Sequence, residues 1–189
     1  MSSNPDRGGK VDRLNNLDVK QVRIGLAALL VLAVAVFLAV KLIGGDDSDV
    51  PDTGEEVGLT EGELIDRAPS LPHVAYWVGS QPSTEQYELT STPDSRIYVR
   101  YLTDEAQPGD PDADFLTVGT YVVQDAAAAL QRGAQGGTVS REAGYSLLEG
   151  SGNNAYVVFD NQPDLQIEIY SPDPGRAIDL AKSGALEPI

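Results

Sequence analysis

The stretch RIYVRYL, residues 96–102, predicts the fold, because its side chains alternate in character from one position to the next. A period of two is typical of a half-buried β-strand, whose successive side chains point to opposite faces of a sheet. One face carries Ile97, Val99 and Tyr101, and the other face carries Arg96, Tyr98 and Arg100. We therefore expect a sheet built around this strand.

The same period marks other segments after residue 71. Residues 165–169 alternate as regularly as residues 96–102. Further predicted strands are residues 74–78, 87–90, 115–123, 145–148 and 155–159. Turn-forming clusters, such as residues 92–95 and 150–154, separate these strands by short links. Because short links join antiparallel neighbours, we expect a mainly antiparallel sheet.

Two short helices interrupt the strands. The first follows Asp125, a candidate N-cap for the alanine run at residues 126–130, and ends at the next glycine. The second follows Asp173, with Pro174 at its first position, and ends at Gly184. Both helices come after a strand with a tyrosine near its end.

These elements predict an α+β domain, in which a mainly antiparallel sheet has both short helices covering one face. Because Tyr121 precedes the first helix and Tyr170 the second, the chain reads as a duplicated unit of strands followed by a helix. The alternative is that hairpins and terminal helices recur by chance. Upstream, Thr60 and Glu63 have the spacing of a capping box, which predicts another helix through about Arg67.

A long apolar run precedes the domain. Residues 24–40 are uncharged and mainly Leu, Val and Ala, and they are flanked by Arg23 and Lys41. As a helix the run covers about 26 Å, close to the thickness of the hydrocarbon core. The alternative is a cleaved signal peptide, but its apolar core is usually shorter and is followed by an Ala-x-Ala-like site. We predict a single transmembrane helix over residues 23–43.

Charge on the two sides of this run predicts its orientation. The tail, residues 1–22, is polar and basic and is predicted to be disordered, and basic flanks stay in the cytoplasm. Residues 44–59 form an acidic stalk, and no basic residue appears after Lys41 until Arg67. The domain, residues 60–189, is then extracytoplasmic. We expect a cell-membrane protein with a cytoplasmic N-terminus and the lipid bilayer as its first partner.

Composition limits the chemistry of the domain. The chain has no cysteine, which excludes thiol nucleophiles, iron–sulfur clusters and cysteine-ligated zinc. Its formal charge is −16, so repulsion from phosphate disfavours a nucleic acid partner. Gly133, Gly136 and Gly137 follow a predicted helix instead of preceding one, so they do not form a nucleotide loop, and no cofactor is expected.

Three carboxylates at alternate positions, Asp110, Asp112 and Asp114, are weak calcium candidates. Calcium takes about six to eight oxygen ligands, and alternate acids in a turn supply several. The pattern then fails, because Phe115 stands where the turn glycine belongs and Tyr121 where the bidentate glutamate belongs. A solvated acidic loop is the alternative.

Arg96, Tyr98 and Arg100 form a candidate interaction patch, since they share one face of the predicted strand. The alternative is a solvated face whose cations pair with neighbouring acids. His73 is the only histidine, and no nucleophile motif accompanies it. No catalytic residue is assigned.

Four stretches carry a resemblance to a known group of proteins. They are VAYWVG (residues 74–79), QYELT (86–90), RIYVRYL (96–102) and LTVGTY (116–121). In them the chain resembles uncharacterised actinobacterial single-pass membrane proteins with an extracytoplasmic domain, and the resemblance extends over most of residues 71–189. It implies the envelope of a Gram-positive bacterium and carries over no catalytic or binding residue.

The expected function is a membrane-tethered, extracytoplasmic interaction or sensing module of the cell envelope, with an envelope protein as its partner. The alternative is a cell-envelope hydrolase that acts through paired carboxylates such as Glu142 and Glu149. A module predicts a surface without a deep pocket. A hydrolase requires a cleft that holds convergent polar groups with perturbed pKa values.

Overall fold

The computed structural model describes residues 57–103, 106–110, 114–134, 138–150 and 152–189. The predicted tail and transmembrane helix, and the predicted stalk up to residue 56, lie outside the described residues. Over the described ranges, no helix combines the length and the hydropathy that a membrane crossing needs.

The elements follow one another with short connections. In chain order they are α1 (Glu61–Arg67), a 3-10 turn (Ala68–Ser70), β1 (Tyr76–Trp77), β2 (Gln86–Ser91), β3 (Ile97–Leu102), β4 (Thr117–Val122), α2 (Ala126–Gly133), β5 (Val139–Glu142), β6 (Tyr145–Glu149), β7 (Asn154–Phe159), β8 (Leu165–Tyr170), α3 (Arg176–Ser183) and β9 (Glu187–Pro188). The expected strands and helices are therefore present, with ends that differ by a few residues.

Within the described residues, seven strands form one sheet in the order β2-β3-β4-β8-β7-β6-β5. Every neighbouring pair is antiparallel, which confirms the expected mainly antiparallel α+β architecture. Two meanders, β2 to β4 and β5 to β8, meet where β4 pairs with β8 at the middle of the sheet. A second, two-stranded sheet joins β1 to β9.

Both faces of the sheet are covered, each by a different helix. The face that we call the α3 face carries the larger core, which packs against α3 and α1: Val99, Val118, Val157, Ile167, Ile169, Ala177, Ala181 and Leu64. The opposite face, the α2 face, has a smaller core against α2: Leu148, Tyr156, Val158, Ala126 and Leu130. Burial of this apolar area on two sides stabilises the sheet.

The expectation that both helices cover one face was wrong. Strand β7 is apolar on both sides, since Val157 lies in the α3-face core and Val158 in the α2-face core. Each side of such a strand needs its own cover. In a duplicated unit, a twofold axis perpendicular to the sheet would exchange the antiparallel strands β4 and β8. Rotation about such an axis leaves each face of the sheet on its own side, so both helices would lie on the same face. The observed placement therefore lacks the symmetry that a duplicated unit would give.

Of the three described α-helices, one begins with the N-cap that the sequence predicts. At α1 the capping box is present: the Thr60 N–H donates to Glu63 Oε2 at 2.8 Å, and the Glu63 N–H donates to Thr60 Oγ1 at 3.3 Å. At α2 the Asp125 side chain caps nothing, because this residue is left-handed, with φ of 52°, and its N–H donates to Asp164 Oδ1 instead. The predicted cap at Asp125 was wrong.

Helix α3 begins two residues later than the sequence predicts. Asp173 and Pro174 belong to a turn in which the Arg176 N–H donates to the Asp173 carbonyl oxygen at 3.2 Å, and Gly175 takes the N-cap position. The end of the helix is as expected, since Gly184 is the C-cap and is left-handed, with φ of 77°.

Candidate functional site

The three residues of the predicted interaction patch do share the α2 face or its edge, but they do not form one exposed surface. Tyr98 and Arg100 are buried, while Arg96 is partly exposed and its Nε lies 2.8 Å from Asp94 Oδ2. The alternative of a solvated strand face does not fit Tyr98 and Arg100, because α2 and the chain between β3 and β4 contact this side of the sheet, although Arg96 and Arg100 do pair with neighbouring acids. The structure assigns Tyr98 and Arg100 to two different internal clusters.

The first cluster is a buried ion pair between β2 and β3. Arg100 Nη1 lies 3.0 Å from Glu88 Oε2, and the two residues are register partners. The Gly109 N–H donates to the same carboxylate oxygen at 2.9 Å, and Arg100 Nη2 donates to the Asp110 carbonyl oxygen at 2.8 Å. The guanidinium carbon also lies 4.8 Å from the centre of the Phe115 ring. These contacts fasten the chain between β3 and β4 to the sheet.

This arrangement bears on the calcium candidates. The backbone carbonyl of Asp110 accepts a hydrogen bond from Arg100, Asp114 is exposed, and Asp112 lies outside the described residues. Within the described ranges, no group of three or more His, Cys, Asp or Glu side chains is placed to hold a metal ion. The calcium site therefore stays a prediction.

His73 has a structural position. Its Nδ1 lies 2.8 Å from the Val74 carbonyl oxygen and its Nε2 lies 2.7 Å from the Ser95 carbonyl oxygen. The ring thus joins the segment before β1 to the turn between β2 and β3. Neither ring nitrogen faces a hydroxyl that it could activate as a nucleophile.

The carboxylates named for a hydrolase lie at the β5–β6 edge of the sheet. Glu149 Oε1 accepts a hydrogen bond from Lys182 Nζ at 2.6 Å, and each of these two side chains is 47% exposed. Glu142 is exposed as well. A general acid of a glycosidase needs a raised pKa, which burial away from cations provides. Glu149 is instead about half exposed and lies beside a cation.

The second internal cluster surrounds Glu168, in the central strand β8. Tyr121 of β4 donates its hydroxyl hydrogen to Glu168 Oε2 at 2.8 Å, and Asn154 of β7 donates its amide to Oε1 at 2.6 Å. Tyr156, the register partner of Glu168 on β7, lies beside the carboxyl group and lowers its pKa. Three neighbouring strands thus converge on one buried carboxyl group.

Gly119 makes this cluster possible. It is the register partner of Glu168 on β4, and the ring of Tyr121 lies over it. A Cβ atom at this position would overlap with the phenol oxygen and the ring of Tyr121. The missing side chain therefore leaves the space through which the Tyr121 hydroxyl reaches Glu168.

Burial dominates the electrostatics of the cluster. Burial raises the pKa of Glu168 above its ordinary value, although the hydrogen bonds from Tyr121, Asn154 and Tyr156 offset part of the rise. Burial also raises the pKa of Tyr121 well above the ordinary value, and the negative charge of Glu168 adds to this effect. Burial raises the pKa of Tyr98 in the same way. The tyrosines therefore remain neutral while Glu168 titrates.

Sequence reasoning missed Glu168 and Glu88. In the predicted strand at residues 165–169, Glu168 simply alternates with Ile167 and Ile169, as a solvent-facing residue would. The signal that it is buried lies on other strands, in Gly119 and Tyr121, and it becomes visible only once the β4–β8 register is known.

Comparison of the chain with protein-family models, with curated proteins and with solved structures finds no match.

Proposed function

We propose that this chain is a single-pass membrane protein of the bacterial cell envelope, whose extracytoplasmic domain is an interaction or sensing module. The observation that carries the proposal is the apolar run at residues 24–40, with basic residues before it and an acidic stretch after it. The resemblance to actinobacterial single-pass proteins supports a Gram-positive envelope as the setting.

The start of the folded domain agrees with a tether. Leu59 pairs with Tyr87 through two backbone hydrogen bonds of 2.7 and 2.8 Å, and α1 begins directly afterwards. Residues 44–56, between the apolar run and the domain, would reach at most about 45 Å if fully extended. Their acidic character favours extension, and the acidic domain is repelled by anionic lipid. The domain is therefore held near the membrane but away from its surface.

The buried polar groups support a module over an enzyme. Arg100 is bound to Glu88 and to the chain between β3 and β4, and Glu168 accepts hydrogen bonds from two donors of its own sheet. Within the described residues, one buried side-chain atom, Ser140 Oγ, has no hydrogen-bond partner. The hydrogen bonds of these groups stabilise the fold, whereas catalytic groups line a space that a substrate can enter. No observation favours the hydrolase through Glu142 and Glu149.

Membrane placement is tested with the full chain in a Gram-positive host. We expect the protein to stay in the membrane pellet after an alkaline carbonate wash, and protease added to intact protoplasts to remove the domain. Leu32→Arg combined with Val36→Arg should release the chain from the pellet, because two charges in the middle of the run oppose insertion. The matched control, Leu32→Val with Val36→Leu, keeps the run apolar and should stay bound. Soluble protein with a new N-terminus near Gly45 would contradict the proposal.

Partner binding is tested by cross-linking in the same membranes. The full chain is compared with a chain that ends at residue 56, which keeps the predicted tail and anchor and lacks the domain. An envelope protein that cross-links reproducibly to the full chain, and not to the shorter one, is the expected result. Equal cross-linking to both chains would place the contact on the tail or the anchor and contradict a module function of the domain.

A further inference from the structure

Glu168 has neutral neighbours on every side that the structure describes. Tyr121 and Tyr98 approach from β4 and β3, and Asn154 and Tyr156 from β7. Helix α2 packs on this face through Ala126 and Leu130, neither of which titrates, while its Arg132 is exposed. No basic side chain is among the described groups that shift the Glu168 pKa. The negative charge of its ionised form is therefore met by hydrogen bonds alone.

Two tyrosines lie between the partly exposed Arg96 and this carboxyl group. Arg96 is partly exposed, and its interaction with the buried Tyr98, like that of Tyr121, lowers the pKa of Tyr98 against the larger effect of burial. The rings of these two tyrosines are packed edge to face, with centres 5.7 Å apart. Tyr121 then donates to Glu168. A hydroxyl both accepts and donates, so the Tyr121 hydroxyl can also accept a hydrogen bond from the protonated carboxyl group.

We propose that Glu168 is a proton-responsive element of the domain: proton uptake by its carboxyl group tightens the packing of β4, β7, β8 and α2, and proton release weakens it. The ionised form leaves a charge between three strands without a cation, whereas the neutral form removes that charge, can donate its hydrogen to the Tyr121 oxygen and still accepts a hydrogen bond from Asn154. Glu88, on the same sheet face, has Arg100 beside it and has no such role. The response belongs to the domain and holds on either side of the membrane.

The sign of the effect follows from the direction of the pKa shift. Burial raises the pKa of Glu168 in the folded state, so the folded domain binds this proton more tightly than the unfolded chain does. The stabilisation is fully present below the ordinary carboxyl pKa and is lost as the pH rises through the raised pKa. The folding equilibrium constant should change about tenfold for each unit by which the pKa is raised.

Urea unfolding of the full chain in detergent micelles tests this proposal, with the fluorescence of the buried Trp77 as the signal. The wild type, Glu168→Gln and the matched control Glu142→Gln, which removes an exposed carboxylate, are compared between pH 4.5 and pH 8. We expect the wild type to lose stability relative to Glu168→Gln as the pH rises, and to run parallel to Glu142→Gln. Parallel curves for all three proteins would overturn the proposal.

A second measurement needs no stable Glu168→Gln protein. The full chain with ¹³C-labelled glutamate is titrated by NMR, in the wild type and in Tyr121→Phe, which keeps the ring and removes one donor to Glu168. The carboxyl resonance that moves to higher pH in Tyr121→Phe is that of Glu168, because the lost hydrogen bond favours the ionised form. In the wild type it should titrate above the ordinary glutamate range. Titration within or below that range would overturn the proposal.

Discussion

Glu88 and Glu168 are buried to the same depth on the same sheet face, yet their surroundings differ. Glu88 is 3% exposed and Glu168 is 2% exposed. Glu88 lies beside the guanidinium group of Arg100, whereas the donors around Glu168 are a phenol and an amide, both neutral. Burial alone therefore does not decide how a carboxyl group behaves. The charge of its neighbours decides whether a buried carboxyl group has a counter-ion or is surrounded by neutral groups alone.

The positions of the two groups in the sheet explain this difference. Strand β2 is at the edge of the sheet, where the chain between β3 and β4 folds back and supplies the Gly109 N–H and the Asp110 carbonyl group. Strand β8 is central, and Glu168 is surrounded by side chains of its neighbouring strands. An edge position leaves room for a long cation and a loop, and a central position favours short lateral contacts.

The largest expected effect comes from breaking the Glu88 ion pair. Arg100→Met leaves Glu88 buried beside an apolar side chain, and we expect a loss of about 3 to 5 kcal/mol in the free energy of unfolding. The full chain in micelles is unfolded by urea at pH 7. Adding Glu88→Gln to Arg100→Met removes the uncompensated charge and should recover much of the loss. If Arg100→Met costs less than about 1 kcal/mol, Arg100 does not compensate Glu88.

A smaller effect is expected at the glycine that makes room for the Glu168 cluster. Gly119→Ala forces the buried Tyr121 to move, because the added Cβ atom would overlap with its ring, so we expect a loss of about 1 to 3 kcal/mol and a broken bond to Glu168. Gly62→Ala is the matched control, because nothing lies within 4 Å of the added atom, and it should leave stability unchanged or slightly raise it. Equal effects of the two substitutions would show that Tyr121 is not locked in place.

The smallest effect is expected at an exposed carboxylate whose titration has the opposite sign. Hydrogen bonds from the Thr60 backbone and then its side chain lower the pKa of Glu63. Glu63 therefore adds stability above its ordinary pKa, and this contribution is lost as the pH falls through the lowered value. We expect Glu63→Gln to unfold at lower urea than the wild type at pH 7 and to match it in acid. A difference that grows in acid would contradict this sign.

Much of the fold was predictable from local patterns. The strands at Ile97–Leu102 and Leu165–Tyr170 were found because their alternation is regular, and the capping box located α1. Strand β5, Val139–Glu142, was missed because half of its residues are charged and its outer edge needs no apolar side chain. Strand β9 was missed because it is two residues long and exists only through its pairing with β1.

The placement of the helices and the Glu168 cluster depended on longer-range information. The strand Asn154–Phe159 contains a continuous apolar run, which indicates that both faces of β7 are buried. Such a strand needs a cover on each side of the sheet. No comparable sign exists for Glu168 within its own strand. Its burial depends on the β4–β8 register and on Gly119, which are separated from it by more than forty residues.

The same substitution at both buried carboxyl groups tests the central comparison most directly. At pH 8 the full chain in micelles is unfolded by urea as wild type, Glu88→Gln and Glu168→Gln. Glu88→Gln should lose about 3 kcal/mol or more, because it leaves the Arg100 charge buried without its counter-ion. Glu168→Gln should lose far less, or gain, because it removes a charge that no cation compensates. Equal losses would contradict the claim that neighbouring charge, and not burial, separates the two groups.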